Sequence, residues 1–179
     1  MTERPAAASA ARLYLCDFDG TVAVEDVGNR FFRQFTTDRA AWEGVIDDWR
    51  EGRAGGREVL RRECELSVVD EAAAEAFTGR FTIDRAFPGF VEAVRATGGE
   101  VAIASDGLLF YIRRILDRHG LARLPAYAND SRFEGAGLVP LFGSPEGEGC
   151  GRCGTCKGAV LERLATSGAG AAGAAGPAG

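Results

Sequence analysis

The stretch Leu13-Tyr14-Leu15-Cys16-Asp17-Phe18-Asp19-Gly20-Thr21 decides how this chain is read. An apolar strand runs into two aspartates and a glycine. Asp17 and Asp19 lie one strand period apart, so an extended backbone sends both to the same side. Like charges at that separation repel, and each raises the other's pKa. A site that keeps both holds a cation between them or uses one as a nucleophile. Gly20 permits a turn that other residues resist. The plainer alternative is a strand end with two solvated acids, and an Asp-x-Asp alone does not decide between them.

Working outward, the pattern after Asp26 turns helical and stays so to Phe87. Phe31, Phe32 and Phe35 recur at helical spacing, as do Trp42, Val45, Ile46 and Trp49. Such stripes face a core more often than a ligand. Gly52 to Gly56 breaks the run, Val59, Leu60 and Leu66 resume it, and Asp70 is placed to cap a helix over 71–77. At Pro88-Gly89 an alternating pattern begins. Phe90, Val91 and Val94 form a helical face, Glu100 to Ala104 an apolar strand, and Leu108 to His119 a helix ended by Gly120. Tyr127 to Asn129 reads as a third strand, Phe133 to Val139 as a hairpin, and Lys157 to Ala165 as a last helix. Strand, helix, strand, helix, strand is the rhythm of a parallel α/β sheet with right-handed connections. The helical stretch 26–87 is then an insert between the parts of an α/β domain at 12–25 and 88–166. Residues 1–11 read as a flexible leader and 167–179, made of Ser, Gly, Ala and Pro, as a disordered tail.

The 179 residues are 46% hydrophobic and 26% charged, the make-up of an ordinary globular chain of one or two domains. The formal net charge of −5 argues against a nucleic-acid surface. No apolar run reaches the roughly 20 residues of a membrane helix, and no secretory signal is expected. Five cysteines, an odd number, fit a reducing, cytoplasmic setting better than a disulfide framework. A homodimer is compatible with all of this.

In an open parallel sheet ligands bind at the carboxyl ends of the strands. Two polar strand exits fall there, Asp17 with Asp19 and Ser105-Asp106-Gly107. A hydroxyl with backbone N–H groups at such a turn suits a phosphate oxygen, and Lys157 could place a point charge on the same anion. Taken singly, Ser105 could be a helix N-cap and Lys157 a solvated lysine.

In that order, Asp17-Phe18-Asp19-Gly20-Thr21, Ser105 and Lys157 resemble the first three motifs of the haloacid dehalogenase (HAD) superfamily. The helical insert directly after the first motif resembles the C1-type cap of its phosphoserine phosphatase-like branch. Tyr127-Ala128-Asn129, Phe133-Glu134-Gly135 and the run Cys150 to Gly158 resemble the phosphatases of 2-hydroxy-3-keto-5-methylthiopentenyl-1-phosphate and their relatives. The resemblance implies a Rossmann-like core and a Mg²⁺-dependent phosphomonoesterase acting on a small phosphorylated metabolite. It implies Asp17 as nucleophile, Asp19 as acid and base, and Thr21, Ser105, Gly107 and Lys157 around the phosphate. Mg²⁺ would be held at Asp17 and the Asp19 backbone carbonyl. Asp26, Asn29 and Arg33 are placed to face the leaving group from the cap.

The family's fourth motif, an acidic pair after a further strand, has no counterpart here. No aspartate follows Asp130, and the later acids are Glu134, Glu146, Glu148 and Glu162. The sheet is therefore expected to lack strands beside the first one, and the metal site its strongest outside carboxylate. A catalytically inactive remnant or phosphate-binding protein is the alternative function. Cys150, Cys153 and Cys156 have zinc-like spacing but supply three thiols where zinc wants four ligands. A turn-rich flap positioning Lys157 is the other reading, with Cys64 or His119 the candidates for a fourth ligand. His119, at a helix end, otherwise reads as structural.

Overall fold

The computed structural model describes residues 12–145, 148–149 and 151–166. The expected leader, the expected tail and Cys150 lie outside the described residues. Four strands form one sheet in the order β1-β2-β3-β4: β1 Leu13–Cys16, β2 Glu100–Leu108, β3 Ala126–Glu134 and β4 Gly137–Leu141. The first three are parallel, with Leu13 opposite Glu100 and Cys16 opposite Ile103. The expected hairpin is present as the antiparallel β3–β4 pair, closed between Glu134 and Gly137. Among the described residues β1 has a neighbour on one side only.

Four helices separate β1 from the α/β rhythm: α1 Val27–Phe35, α2 Arg39–Arg50, α3 Gly56–Glu65 and α4 Glu71–Thr78. Asp26, Asp38 and Asp70 each start one by accepting a hydrogen bond from a backbone N–H three residues on, at Asn29, Ala41 and Ala73. Each such cap stabilises its helix by about 1 kcal/mol. α5 Phe87–Ala96 leads into β2, α6 Leu109–Arg118 joins β2 to β3, and α7 Lys157–Thr166 follows the cysteine-rich segment. Phe31, Trp42, Leu60 and Phe77 from the insert share one buried cluster with Val91, Ile103, Leu108 and Ile112. The insert is thus fused to the sheet by a common core.

Three expectations need correction. Trp49, on the α2 stripe, is 56% exposed, because it sits in the last turn beyond the last buried residue, Ile46. Phe90 is also exposed; Phe87, Val91 and Val94 make the buried face of α5, and Phe90 meets the edge of Tyr14 instead. β2 runs on to Leu108 rather than ending at Ala104, since pairing with β3 resumes there.

α3 buries an acid. Glu63 is 7% exposed and its Oε1 accepts a hydrogen bond from Trp42 Nε1 at 3.0 Å. Burial, with the charge of Asp26 adding, pushes its pKa from 4.5 to about 8 against the opposing Trp42 bond. A carboxyl raised on folding contributes stability that is complete below its unfolded pKa and is lost as pH rises through the folded one. Stability carried by Glu63 should therefore fall between about pH 4.5 and 8. Glu63→Gln keeps the acceptor for Trp42 and cannot ionise. Urea denaturation should find the variant gaining on the wild type by a few kcal/mol from pH 5 to pH 8. A difference that stays constant with pH would contradict this account.

Candidate active site

The chain leaves β1 at Asp17 and drops Phe18 into the core, where it is fully buried. A wide turn over Phe18–Val22 follows, closed by Ala23 N donating to the Phe18 carbonyl at 2.9 Å, with Asp19 extended and Gly20 at φ 68°, a left-handed conformation that glycine adopts without strain. Asp17 Oδ1 accepts from Phe18 N at 2.8 Å, and the rest of the carboxylate is half-exposed. Asp19 turns inward. Its Oδ1 accepts from the N–H groups of Val27 at 3.0 Å and Gly28 at 3.1 Å. Its Oδ2 accepts from Tyr111 Oη at 2.8 Å and Ser105 Oγ at 3.3 Å.

This environment raises the Asp19 pKa from 3.8 to about 6. Burial is the main cause and the Asp26 charge adds to it, while the bonds from Tyr111, Gly28 and Val27 oppose it. The mutual repulsion with Asp17 anticipated above is not among the causes. Asp26 lies near enough that its charge is felt at Asp19, Tyr111 and Glu63 alike. Asn29 is half-buried, and Thr21 and Arg33 are exposed.

Ser105 reaches this cluster from the neighbouring strand. Ala104 pairs with Tyr127 and Leu108 with Asn129, so β2 takes more residues than β3 over the same span, and Ser105-Asp106-Gly107 bulges from the ladder. Ser105 is 1% exposed and its Oγ accepts from Gly107 N at 3.0 Å. It is not an N-cap, since Leu108 holds that position on α6 with no side-chain cap bond. Gly107 has no room for a side chain, because a Cβ would collide with Tyr111 Oη and Asp19 Oδ2.

Lys157 opens α7 and its Nζ meets Asp17 Oδ2 at 2.7 Å. The segment before it is held by Asn129, which is fully buried. Asn129 Nδ2 donates to the Asp106 carbonyl at 2.7 Å and to Asp106 Oδ1 at 3.1 Å. Asn129 Oδ1 accepts from Gly143 N at 3.2 Å and Thr155 Oγ1 at 3.1 Å. Thr155 N donates to Asp106 Oδ1, and Cys156 N to Ser144 Oγ, both at 2.9 Å. Burial raises the Asp106 pKa, with these bonds and the Lys157 charge opposing. The same segment touches the insert: Arg57 N donates to the Arg152 carbonyl at 3.0 Å, and the Arg57 guanidinium lies over Phe142.

Among the described residues no three His, Cys, Asp or Glu side chains gather as a metal site. Asp19 already accepts four hydrogen bonds, so its carboxylate has little left for a cation. Asp17 can offer one carboxylate. Mg²⁺ is commonly held by one or two carboxylates with substrate phosphate and waters, so this donor set fits it at the lower limit. For zinc, Cys64 is buried in α3 with its thiol pKa pushed up by burial, and His119 Nε2 lies 3.3 Å from Thr82 Oγ1 at the end of α6.

A family model for haloacid dehalogenase-like hydrolases matches residues 14–172. The chain belongs to that family. A 2-hydroxy-3-keto-5-methylthiopentenyl-1-phosphate phosphatase of Brevibacillus brevis is 30% identical over 156 residues, covering 83% of this chain and 67% of the relative. A protein of the same name from Geobacillus kaustophilus is 29% identical over 160 residues, covering 84% and 68%. The HAD fold is also seen in a phosphoserine phosphatase structure with a phospho-aspartyl intermediate analogue. There the TM-score is 0.65 at 21% identity, over 89% of this chain and 73% of the other. A HAD family hydrolase from Salmonella enterica gives a TM-score of 0.60 at 20% identity, and this chain spans 44% of its length.

Within this HAD chain the structure brings Asp17, Asp19, Ser105, Gly107 and Lys157 together and adds three residues that the motifs did not single out. Tyr111 reads in sequence as one more aromatic on a helix face. Asn129 and Asp106 stood inside quoted motifs, and their polarity at the ends of apolar strands was the available signal.

Proposed function

We propose that this chain is a phosphomonoester hydrolase that works through an aspartyl-phosphate at Asp17. The observation that carries the reading is the meeting of Asp17, at the exit of β1, with Lys157, at the start of α7, beside a half-buried Asp19. Asp17 attacks phosphorus, and the P–O bond to the leaving group breaks as Asp19 delivers a proton to that oxygen. Water then attacks the aspartyl-phosphate and gives its proton to Asp19, releasing inorganic phosphate and restoring Asp17. A pKa near 6 suits a group that must give and take a proton near neutrality. Lys157 offsets the negative charge of Asp17 and of the phosphoryl oxygens, the main demand of phosphoryl transfer. Ser105, Thr21 and the Gly107 backbone hold those oxygens. Mg²⁺ bound at the Asp17 carboxylate and the Asp19 backbone carbonyl would supply further charge neutralisation.

In this reading residues 12–25 and 88–166 are the catalytic core and 26–87 a cap. The cap selects the leaving group with Asp26, Asn29 and Arg33. The substrate is a small phosphorylated metabolite, a ketose phosphate of the kind named for the relatives or a phosphoserine-like ester.

The test is phosphate release from a panel of such esters. Turnover should require Mg²⁺, cease with a chelator and return on adding Mg²⁺ back. Folded protein that releases no phosphate from the panel with Mg²⁺ present would overturn the enzymatic reading. Phosphate binding without turnover would then favour the binding-protein alternative.

A further inference from the structure

Tyr111 is wholly buried on α6, with its ring beside Phe18 and Phe110. Its hydroxyl passes between two glycines to reach Asp19. A Cβ on Gly107 would collide with Tyr111 Oη, and one on Gly28 would lie 3.0 Å from it. Phenylalanine would fill the same ring space, so packing alone does not call for the hydroxyl. A buried tyrosine hydroxyl needs a partner, and here the partner is the Asp19 carboxylate.

The two oxygens of Asp19 differ. Oδ1 takes two backbone N–H groups, from Val27 and Gly28, donors that cannot rotate away. Oδ2 takes two side-chain hydroxyls, from Tyr111 and Ser105, groups that can accept a hydrogen bond as well as donate one. Oδ2 is therefore the oxygen able to exchange a proton. We propose that Tyr111 is a positioning residue for Asp19, its hydroxyl fixing the carboxylate rotation that commits proton transfer to Oδ2. The inference rests on the phosphatase reading above.

The role predicts a dependence on leaving group. An alkoxide needs a proton to depart; a nitrophenolate does not. kcat/KM covers the steps up to departure of the leaving group, so the later hydrolysis common to both esters does not enter it. For Tyr111→Phe, kcat/KM on an alkyl phosphomonoester should fall about ten-fold, and on p-nitrophenyl phosphate by no more than about two-fold, as a partial loss of general acid catalysis. In an Asp19→Asn background the same change should cost nothing further on p-nitrophenyl phosphate, and a further loss there would overturn the proposal. Equal losses on the two esters, or no loss on the alkyl ester, would also overturn it while leaving the phosphatase reading intact. A wild type that hydrolyses neither ester overturns both.

Discussion

Asp17→Asn should leave the protein folded and reduce phosphate release by about 10⁴-fold or more, the scale of losing a nucleophile. The two side chains have nearly the same shape, and an amide oxygen can still accept from Phe18 N as Asp17 Oδ1 does. What disappears is the attacking oxygen and the charge that faces Lys157. That ion pair is 46% and 41% exposed, so its loss should cost under about 1 kcal/mol of stability. Stability and rate should therefore separate: a thermal melt close to wild type, with no turnover. Acid-quenched mass spectrometry should find phosphate on the wild type during turnover and none on the variant. An Asp17→Asn protein retaining a tenth of the wild-type rate would remove Asp17 from the nucleophile's place.

Asn129→Ala should be strongly damaging although Asn129 lies outside the proposed Asp17–Asp19 pair. Asn129 satisfies the Asp106 carbonyl, Asp106 Oδ1, Gly143 N and Thr155 Oγ1 from a position with no solvent access. Truncation strands the Asp106 carbonyl, Gly143 N and Thr155 Oγ1, while Asp106 Oδ1 keeps its bond from Thr155 N, and each buried group left unpaired costs about 1–3 kcal/mol. Water entering the gap recovers part of that, so a net loss of roughly 3–5 kcal/mol is expected, a large share of a typical domain's stability. Activity should fall even where the variant is folded, because Thr155 sits two residues before Lys157 and is held from both its N–H and its hydroxyl. Denaturant melts would give the stability change. Rates measured well below the melting temperature would give the positional one. Unchanged stability would show that this network does not hold the segment, and an unchanged rate in folded variant would show that it does not place Lys157.

The sequence was most informative where one residue type does one local job. The paired aspartates, the Gly20 turn, the Asp70 cap and the β3–β4 hairpin were legible because each depends on neighbours within a few positions. Ser105 and Lys157 were legible through their order along the chain. Tyr111 was not, because its partner lies 92 residues away and its helix face is apolar in either role. The continuation of β2 to Leu108 was hidden for a related reason. A bulge interrupts the ladder, and pairing resumes only because Asn129 lies opposite. The exposed Trp49 followed the right period on the right helix, but a periodic pattern does not say where along a helix the packing partner stops.

The hydroxyl threaded between two glycines also ties one of them, Gly28, and Tyr111 into one evolutionary unit. At position 28 the nearest obstacle to a methyl group is Tyr111 Oη at 3.0 Å, and the next atoms stand at 3.8 and 3.9 Å, ordinary contact. Whether alanine is tolerated there is thus decided by the residue at 111. Position 107 has no such freedom, since the Asp19 carboxylate blocks it as well. A lineage that exchanged the tyrosine for phenylalanine would release the first glycine from selection while keeping the second fixed, an asymmetry that aligned relatives would carry as covariation between 28 and 111 alone.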